Sequence, residues 1–350
     1  MTEVTQRSAR RTTADTEPMV LAFDVVVTAV QDLSSTFRRI TFGGTCLAAF
    51  GVAGDTLDLR IKIVIPAAGR ECPDIAGMMR RGDSANWYQL WLGMEAEERG
   101  SMRTYTVRES RCGGPQPEID VDFVMHLDAD GRGGPASEWA AAARPGDRVC
   151  VIGPNSAAAQ CATAGAYGGI EWSPGLAQHV LLAGDETAVP AISAILEALP
   201  ADIGGHAFLE VPGEQDIQDI RTRSSVAVTW LVRGRRGHGE LLESAVRDAV
   251  RVPGWVSLSG PEPVAGGREP EDVDIDGSIL WETPQRLEAA IVRSTVNPGR
   301  LPGSQPFYAW IAGEAAVVRG LRRYLVRDVG VDRKQVAFMG YWRKGRAELS

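Results

Sequence analysis

The sequence predicts two domains, an antiparallel β-barrel followed by an α/β domain with a parallel sheet. Its 350 residues exceed the length that one ordinary hydrophobic core serves. From 18 to 154 the chain consists mainly of short runs of strand-forming residues separated by Gly, Pro, Asp and Asn, which is typical of an antiparallel barrel. From 178 to 350 apolar strands alternate with helical segments, which is typical of a parallel sheet. Residues 1–17 are expected to be a disordered N-terminus, and residues 155–177 are expected to link the domains.

The first domain is expected to contain six strands and one helix. The helix is predicted from 137 to 144 (SEWAAAAR), with Ser137 as its N-cap or a first-turn residue and with Pro145 and Gly146 ending it. The predicted strands are 21–30, 37–44, 56–66, 103–110, 118–127 and 147–154.

The second domain is expected to begin with a strand, a turn and a helix between 178 and 200. Ile192, Ile195, Leu196 and Leu199 have helical spacing in this unit. Further strands are predicted at 206–212, 225–233 and 307–313, the last strand of the sheet, and helices around 240–250 and 315–326. The segment from 268 to 306 is acidic and then rich in Pro and Gly, and it is interpreted as a surface insertion before the last strand.

Composition excludes several classes of protein. The formal net charge of −8 argues against general affinity for nucleic acid or for an anionic membrane, because both depend on excess Lys and Arg. No apolar run reaches the roughly eighteen residues that a membrane span needs, and the polar N-terminus lacks a signal-peptide pattern, so a cytoplasmic protein is expected. Five widely spaced cysteines and four scattered histidines indicate neither a disulfide framework nor a bound metal.

The run from Arg103 to Arg108, RTYTVR, combines residue types that suit a flavin. A flavin ring needs a flat partner for one face, a hydrogen-bond donor near its reactive N5 atom and cationic donors for its phosphate. Tyr105, Thr106 and Arg103 supply these three in turn. The alternative is a plain strand whose arginine is solvated.

A glycine-proline turn opens the helix predicted in the first domain, at Gly134-Pro135-Ala136-Ser137. Small residues at the start of a helix let backbone N–H groups approach an anion, and the helix dipole favours its negative charge. The pattern therefore favours a pyrophosphate, and with it FAD over FMN. The alternative is a capped helix with Trp139 in the core.

Two turns of the second domain lie where an open parallel sheet binds a nucleotide, after a strand and before a helix. The first, AGDETAVP from 183 to 190, lacks a G-x-G-x-x-G pattern. The second is Gly313-Glu314. The chain then ends in an aromatic and basic run that includes Trp342, Arg343 and Lys344, for which a solvated tail is the alternative.

In this domain order, the four motifs resemble those of the siderophore-interacting protein family, which comprises NAD(P)H-dependent ferric siderophore reductases with a ferredoxin-reductase-like fold. The resemblance covers roughly residues 20 to 346. It implies that FAD takes a hydride from NAD(P)H and reduces a ferric siderophore by single electrons, which releases Fe(II). It also implies that Tyr105 and Thr106 lie at the flavin as catalytic residues. The other implied cofactor contacts are Arg103, Arg108, His126, Gly134, Pro135, Ala136, Ser137, Trp139, Gly184, Asp185, Glu186, Thr187, Gly313, Glu314 and Trp342.

The resemblance further implies a basic mouth that attracts an anionic ferric siderophore, to which Lys62, Arg343 and Lys344 contribute. Iron is then part of the substrate, and the protein is expected to be a monomer without a nucleic-acid or membrane partner. Two other functions stay open. One is a general flavin or ferric-chelate reductase with another acceptor, and the other is a non-catalytic siderophore-binding protein of the same fold.

The choice between NADH and NADPH also stays open, because it depends on the charge beside the ribose 2′-position. Glu210 suits the 2′-hydroxyl of NADH, whereas Arg233, Arg235 and Arg236 suit the 2′-phosphate of NADPH.

Overall fold

Two sheets contain all thirteen strands of the residues that the structure describes. The computed structural model describes residues 17–81, 87–128, 130–163, 165–250, 281–283 and 307–345. The predicted disordered N-terminus lies outside these ranges up to residue 16, as does the predicted insertion apart from residues 281–283.

The first sheet is antiparallel, and all of the strands predicted for the first domain belong to it. Its strands are β1 (Val20–Asp32), β2 (Phe37–Gly43), β3 (Arg60–Ile65), β4 (Ser101–Thr106), β5 (Glu109–Arg111), β6 (Glu118–Val124) and β7 (Arg148–Pro154), in the order β4-β3-β7-β1-β2-β6-β5. The predicted strand at 103–110 is divided between β4 and β5. Phe23, Val25 and Val27 alternate along β1 and are buried, which is the period-two pattern of a strand with one face on a core.

This sheet curls until β4 comes close to β6. The rings of Tyr105 and Phe123 are 4.3 Å apart across that gap. Immediately after β4, the backbone N–H of Arg108 donates to the carbonyl of Asp120 at 2.8 Å. The edge strands β4 and β5 do not pair with each other, so the barrel is a curled sheet that closes at one corner only.

The expectation of a single helix in the first domain is wrong. Three short helices, α1 (Ile75–Arg81), α2 (Trp87–Leu92) and α3 (Ala96–Arg99), lie between β3 and β4 and bury Trp91 against the outer face of the sheet. Each has at most seven residues, too few to show a helical repeat. The predicted helix exists as α4 (Pro135–Ala142), which begins two residues early because Gly134 is its N-cap and Ser137 lies in its first turn.

The second sheet has six strands and is parallel except at one edge. Its strands are β8 (His179–Gly184), β9 (Gly204–Val211), β10 (Ser225–Val232), β11 (Trp281–Glu282), β12 (Phe307–Glu314) and β13 (Val336–Trp342), in the order β10-β9-β8-β12-β13-β11. Only β11 runs antiparallel to its neighbour. The prediction that the strand at 307–313 is the last is wrong, since β13 follows it and pairs with it.

Helices cover both faces of this sheet. The described helices are α5 (Ala159–Ala162), α6 (Val189–Ala198), α7 (Glu240–Ala249) and α8 (Ala315–Arg322). Residues of α6 share a core with the first domain, whereas α7 and α8 form a second core on the opposite face. The segment expected to be a linker contributes to the shared core through Tyr167, Ile170 and Trp172, which are all buried.

Polar contacts also join the two domains. The guanidinium of Arg108 forms two hydrogen bonds with the carboxylate of Glu197 on α6, at 2.8 and 2.7 Å. The hydroxyl of Ser34, between β1 and β2, donates to Asp216 after β9 at 2.6 Å. Together with the shared core, these contacts fix the groove between the domains in which the candidate site lies.

Candidate functional site

The four sequence motifs meet at one cleft between the curled sheet and the carboxyl ends of the parallel strands. The cleft has a volume of about 380 Å³. The predicted residues that line it are Arg103, Tyr105, Thr106, His126, Gly134, Ala136, Ser137, Thr187 and Trp342. Residues from positions as far apart in sequence as 103 and 342 therefore surround one space, which is what a bound ligand requires.

The end of β4 supplies one wall of this cleft. Tyr105 is half-buried with its ring against Phe123, and the neighbouring Thr106 is 7% exposed. One guanidinium nitrogen of Arg103 donates to the Met102 carbonyl at 2.8 Å. A ring held from behind by another ring offers its second face to a planar ligand at little entropic cost.

Arg108, the last residue of the first motif, lies elsewhere. It lines a second cavity of about 580 Å³ on the other side of the domain junction, where Glu197 holds it. Since its charge is balanced by that carboxylate, Arg108 joins the domains rather than lining the main cleft.

The first turn of α4 forms the opposite end of the cleft. No side chain caps this helix, and Pro135 occupies its first turn, where a missing N–H costs nothing. The Ser137 hydroxyl donates to the Val124 carbonyl at 3.4 Å and accepts from the His126 N–H at 3.3 Å, which ties the helix start to the end of β6. Ala136 lines the cleft beside Gly134, so this turn presents small residues and an uncapped helix N-terminus.

These observations fit FAD. The cleft offers a backed aromatic ring, an arginine on the same strand and an uncapped helix start, which match a flavin ring and an attached phosphate group. Trp139, in contrast, packs on Phe42 and Phe123 with ring centroids 6.3 and 5.7 Å away, so it supports α4 from the core side.

Asp185 is buried and joins three segments around the cleft. Its Oδ1 accepts hydrogen bonds from the backbone N–H and the hydroxyl of Thr187. Its Oδ2 accepts from the Glu314 N–H at 2.7 Å and from the indole Nε1 of Trp342 at 2.8 Å. The carboxylate therefore positions Thr187 and Trp342, two residues that line the cleft, without lining it itself.

Two glycines make this arrangement possible. A Cβ on Gly313, whose φ is +142°, would lie 2.6 Å from Asp185 Oδ2. A Cβ on Gly184 would lie 2.4 Å from the Cβ of Ala188 at the start of the following helix. Both residues thus permit close packing and are not themselves cleft residues. Glu314 caps α8 by accepting from the N–H groups of Ala316 and Val317.

Glu186 is likewise buried, and its carboxylate pairs with the Arg233 guanidinium through bonds of 2.9 and 3.0 Å. The family resemblance implied that Asp185 and Glu186 contact the nicotinamide cofactor. The turn instead directs both carboxylates into the protein, where each binds other protein groups.

Among the cleft residues that sequence reasoning missed are Arg60 and Trp281, which lie beside Tyr341 of the aromatic and basic C-terminal run. The guanidinium carbon of Arg60 lies 4.1 Å from the ring centre of Trp281, and Trp281 stacks on Tyr341 at 5.9 Å. Glu171, from the expected linker, accepts hydrogen bonds from both Arg60 and the Trp281 indole. No motif marks Arg60, Glu171 or Trp281, because they come from three separate segments.

The position of Trp281 corrects the interpretation of its segment. Residues 281 and 282 lie within the expected surface insertion, yet they pair with β13 and contribute a wall of the cleft. Glu282 anchors this strand by accepting from Arg322 and Arg333, each at 2.7 Å.

The basic residues expected at the mouth do not line the cleft. Lys62 is exposed on β3, and its ammonium donates to the hydroxyl of Thr104, a cleft residue, at 3.2 Å. Arg343 and Lys344 follow Trp342 directly, and the Lys344 N–H donates to Glu314 at 3.2 Å. All three therefore lie near the rim of the cleft rather than within it.

Burial changes the acidity of several groups around the cleft. It raises the pKa of Asp185 to about 6, with a further contribution from the Glu186 carboxylate. It also raises the pKa of Asp58 to about 6; Asp58 accepts from the Trp310 indole and from the N–H groups of Glu171 and Trp172. Burial lowers the pKa of His126, which favours the neutral imidazole in the cleft.

The raised pKa of Asp58 predicts a pH-dependent contribution to stability. The folded protein binds this proton more tightly than the unfolded chain, in which the aspartate pKa is about 3.9. Protonation therefore favours the folded state, and stability rises as pH falls from about 7 to about 4. We expect the destabilisation caused by Asp58→Asn to be roughly 1–3 kcal/mol larger at pH 5 than at pH 7.5 in urea denaturation. If Asp58→Asn destabilises the protein equally at both pH values, the raised pKa of Asp58 is contradicted.

Neither a group of three or more potential metal-binding side chains nor a helix long and apolar enough to cross a bilayer occurs in the part of the chain that the structure describes.

Comparison with known protein families divides the chain as its two sheets do. A model of the siderophore-interacting FAD-binding domain matches residues 26–158, and a model of the siderophore-interacting protein domain matches residues 177–345. Together they cover the curled sheet and the parallel sheet with the cleft between them.

Individual relatives agree with these matches. Ferric vibriobactin reductase ViuB of Vibrio cholerae is 32% identical over 227 residues, which cover 65% of this chain and 72% of that protein. An uncharacterized protein of Mycobacterium tuberculosis is 32% identical over 329 residues, which cover 93% of this chain and 91% of that protein.

Solved structures of other proteins are similar to this chain in fold as well as in sequence. The siderophore-interacting protein SipS from Aeromonas hydrophila is 27% identical and covers 95% of each chain with a TM-score of 0.58. A siderophore utilization protein from T. fusca is 23% identical and covers 95% of this chain and 97% of its own with a TM-score of 0.57. Since the two models together match well over half of the chain, it belongs to the siderophore-interacting protein family, and the FAD-binding domain that the resemblance implied is confirmed.

Proposed function

We propose that this protein is an NAD(P)H-dependent ferric siderophore reductase. One observation carries the proposal: the end of β4, the start of α4 and the turn after β8 open onto the same cleft. A flavin site and a nicotinamide site that share one space allow a hydride to pass directly between them.

The residues of the first domain would hold FAD. Tyr105 would pack on one face of the ring, because Phe123 supports its own ring from behind. Thr106 would donate a hydrogen bond near the reactive edge of the ring. Arg103 would pair with a phosphate, and the first turn of α4 at Ala136 and Ser137 would bind the pyrophosphate through backbone N–H groups. FAD supplies the conversion between a two-electron hydride donor and a one-electron acceptor.

The second domain would hold the nicotinamide nucleotide. Thr187 and Trp342 line the cleft at the carboxyl ends of the strands, the edge at which open parallel sheets bind nucleotides. Asp185 fixes both residues through its four hydrogen bonds. Trp342 is also flanked by His126 and His238, whose ring centroids lie 5.6 and 5.1 Å from its own. The indole would therefore bound the nicotinamide site and exclude water from it.

The acceptor would be an anionic ferric siderophore at the rim. The related protein ViuB is named for the reduction of ferric vibriobactin. Lys62, Arg343 and Lys344 lie near the rim and would attract an anion towards the cleft, although the whole chain carries a net charge of −8.

An anaerobic absorbance experiment tests this proposal. The purified protein, loaded with FAD, is treated with NADPH or NADH and then with a ferric siderophore, while a chromogenic chelator records Fe(II). The flavin band at about 450 nm should bleach with the nucleotide and return with the siderophore. Because a hydride carries two electrons, two Fe(II) ions should appear for each nucleotide consumed.

Two controls separate this proposal from its alternatives. The gallium complex of the same siderophore has nearly the same shape but accepts no electron, so it should leave the flavin bleached. If every ferric chelate restores the flavin at the same rate, the protein is a general ferric-chelate reductase. If the protein binds the siderophore but retains no flavin, it is a non-catalytic siderophore-binding protein.

A further inference from the structure

Burial and pairing decide which charged residues beside the nucleotide site can select between NADH and NADPH. An acid hydrogen-bonds the ribose 2′-hydroxyl of NADH, whereas an arginine pairs with the 2′-phosphate of NADPH. The inference that follows rests on the proposed function, since it concerns the nucleotide that reduces the flavin. The candidate acid is Glu210, and the candidate bases are Arg233, Arg235 and Arg236.

Glu210 is fully buried at the end of β9, and protein groups engage both of its oxygens. Its Oε1 accepts from Arg233 at 3.2 Å and from the Gly239 N–H at 2.8 Å. Its Oε2 accepts from the Leu242 N–H at 3.1 Å, in the first turn of α7. This carboxylate holds the start of α7 in place and has no oxygen left for a ribose.

Arg233 is equally occupied. It is 6% exposed and lies between two buried carboxylates, with two bonds to Glu186 and one to Glu210. Moving the Arg233 guanidinium to a ligand would leave the buried carboxylates of Glu186 and Glu210 without their cation, which is strongly unfavourable. The nearest acid and the nearest base therefore neutralise each other inside the protein.

Arg235 and Arg236 are the two candidate bases that remain after Arg233 is excluded, and both are exposed. Neither guanidinium forms a salt bridge or hydrogen bond with any residue that the structure describes. Backbone hydrogen bonds fasten their turn to the carboxyl end of β9: Arg233 N–H donates to Val211 at 2.8 Å and Gly234 N–H donates to Pro212 at 3.0 Å. The two charges are thus held at the strand end where a bound nucleotide places its ribose.

The same loop extends to the cleft. His238 lies two residues beyond Arg236, and its ring is 5.1 Å from that of Trp342. A dinucleotide with its nicotinamide near Trp342 can therefore follow this loop along the edge of the sheet. Two exposed carboxylates lie near this loop: Glu214 after β9, and Glu240 at the start of α7, whose Oε2 accepts from the Gly237 N–H at 3.3 Å.

We propose that Arg235 and Arg236 form a binding site for the 2′-phosphate of NADPH, and that the protein prefers NADPH to NADH. Two exposed guanidinium groups that pair with none of the described residues can bind a phosphate dianion without first breaking an ion pair in that part of the chain.

The test compares two nucleotides and two double variants. In anaerobic stopped-flow flavin reduction, the kcat/KM of the unmodified protein should be at least about 10-fold higher for NADPH than for NADH. Arg235→Ala/Arg236→Ala should lower that ratio at least about 10-fold. Arg221→Ala/Arg223→Ala removes the same charge from the loop before β10, at the opposite end of that strand, and should leave the ratio unchanged.

Calorimetry with nucleotide fragments separates this inference from the proposed function. Adenosine 2′,5′-bisphosphate should bind at least about 10-fold more tightly than 5′-AMP, and the difference should disappear in Arg235→Ala/Arg236→Ala. This binding decides the inference even if neither nucleotide reduces the flavin, in which case only the proposed function fails. Equal binding of the two fragments, or a preference for NADH that Glu214→Ala abolishes, would overturn it.

Discussion

Arg103→Ala and Tyr105→Ala are each expected to yield a folded protein that binds FAD about 10- to 100-fold more weakly. In the proposed flavin site, loss of the guanidinium would remove a charge-assisted hydrogen bond to phosphate, which contributes about 1.5–3 kcal/mol. Loss of the phenol ring removes the stacking partner of the flavin. The fold should survive because β4 keeps its backbone pairing with β3 in both variants. Isothermal titration of the apoprotein with FAD measures the change.

Arg148→Ala provides a matched control for these variants. Arg148 is exposed on β7 of the same sheet and does not line the cleft, so its loss removes an equal charge without touching the site. FAD affinity should be unchanged in this variant. If both Arg103→Ala and Tyr105→Ala retain full FAD affinity, then the flavin does not bind at the end of β4.

Asp185→Asn is expected to be almost as damaging as Asp185→Ala, with a loss of about 2 kcal/mol or more of unfolding free energy. Asp185 Oδ2 accepts from two donors, the Glu314 N–H and the Trp342 indole. If the asparagine oxygen keeps the Thr187 bonds, its NH₂ group faces these two donors, and neither buried N–H finds a partner. Urea denaturation and the rate of flavin reduction by NAD(P)H should both reveal the change.

Trp342→Phe tests whether Asp185 acts through the indole of Trp342. It removes the indole donor but keeps an aromatic ring, so Asp185→Asn should cost less in its presence than alone, by about 0.5 kcal/mol or more. Equal costs in the two backgrounds would mean that Asp185 does not act through Trp342. A loss below about 0.5 kcal/mol for Asp185→Asn would contradict its role as the link between the three segments.

The sequence predicted the strands and helices whose pattern of apolar residues repeats along one continuous segment. The alternation in β1 and the strand-turn-helix unit at β8 and α6 are visible because each extends over enough residues to show its period. The short helices between β3 and β4 show none. The strand β13 was not predicted, although Val336 to Met339 are all buried.

The candidate site was predictable where a motif is local and unpredictable where tertiary contacts build it. The runs at Arg103 and Gly134 follow from short-range chemistry and lie at the cleft. Asp185 and Glu186 were linked to the nucleotide by their position in a turn, but backbone direction decides whether a side chain faces the ligand or the core. Trp281 could not be predicted, since a two-residue strand has no pattern and depends on β13 for pairing.

The core that α6 shares with the curled sheet has a consequence for engineering and for evolution. Neither half can bury its apolar surface without the other, so separate expression of the halves should yield poorly folded fragments, and the intact chain should unfold in one cooperative transition. A chimera that exchanges only the nucleotide-binding half would expose mismatched apolar surface. New acceptor specificity is therefore easier to acquire through surface elements such as β11, which reach the cleft without belonging to that joint core.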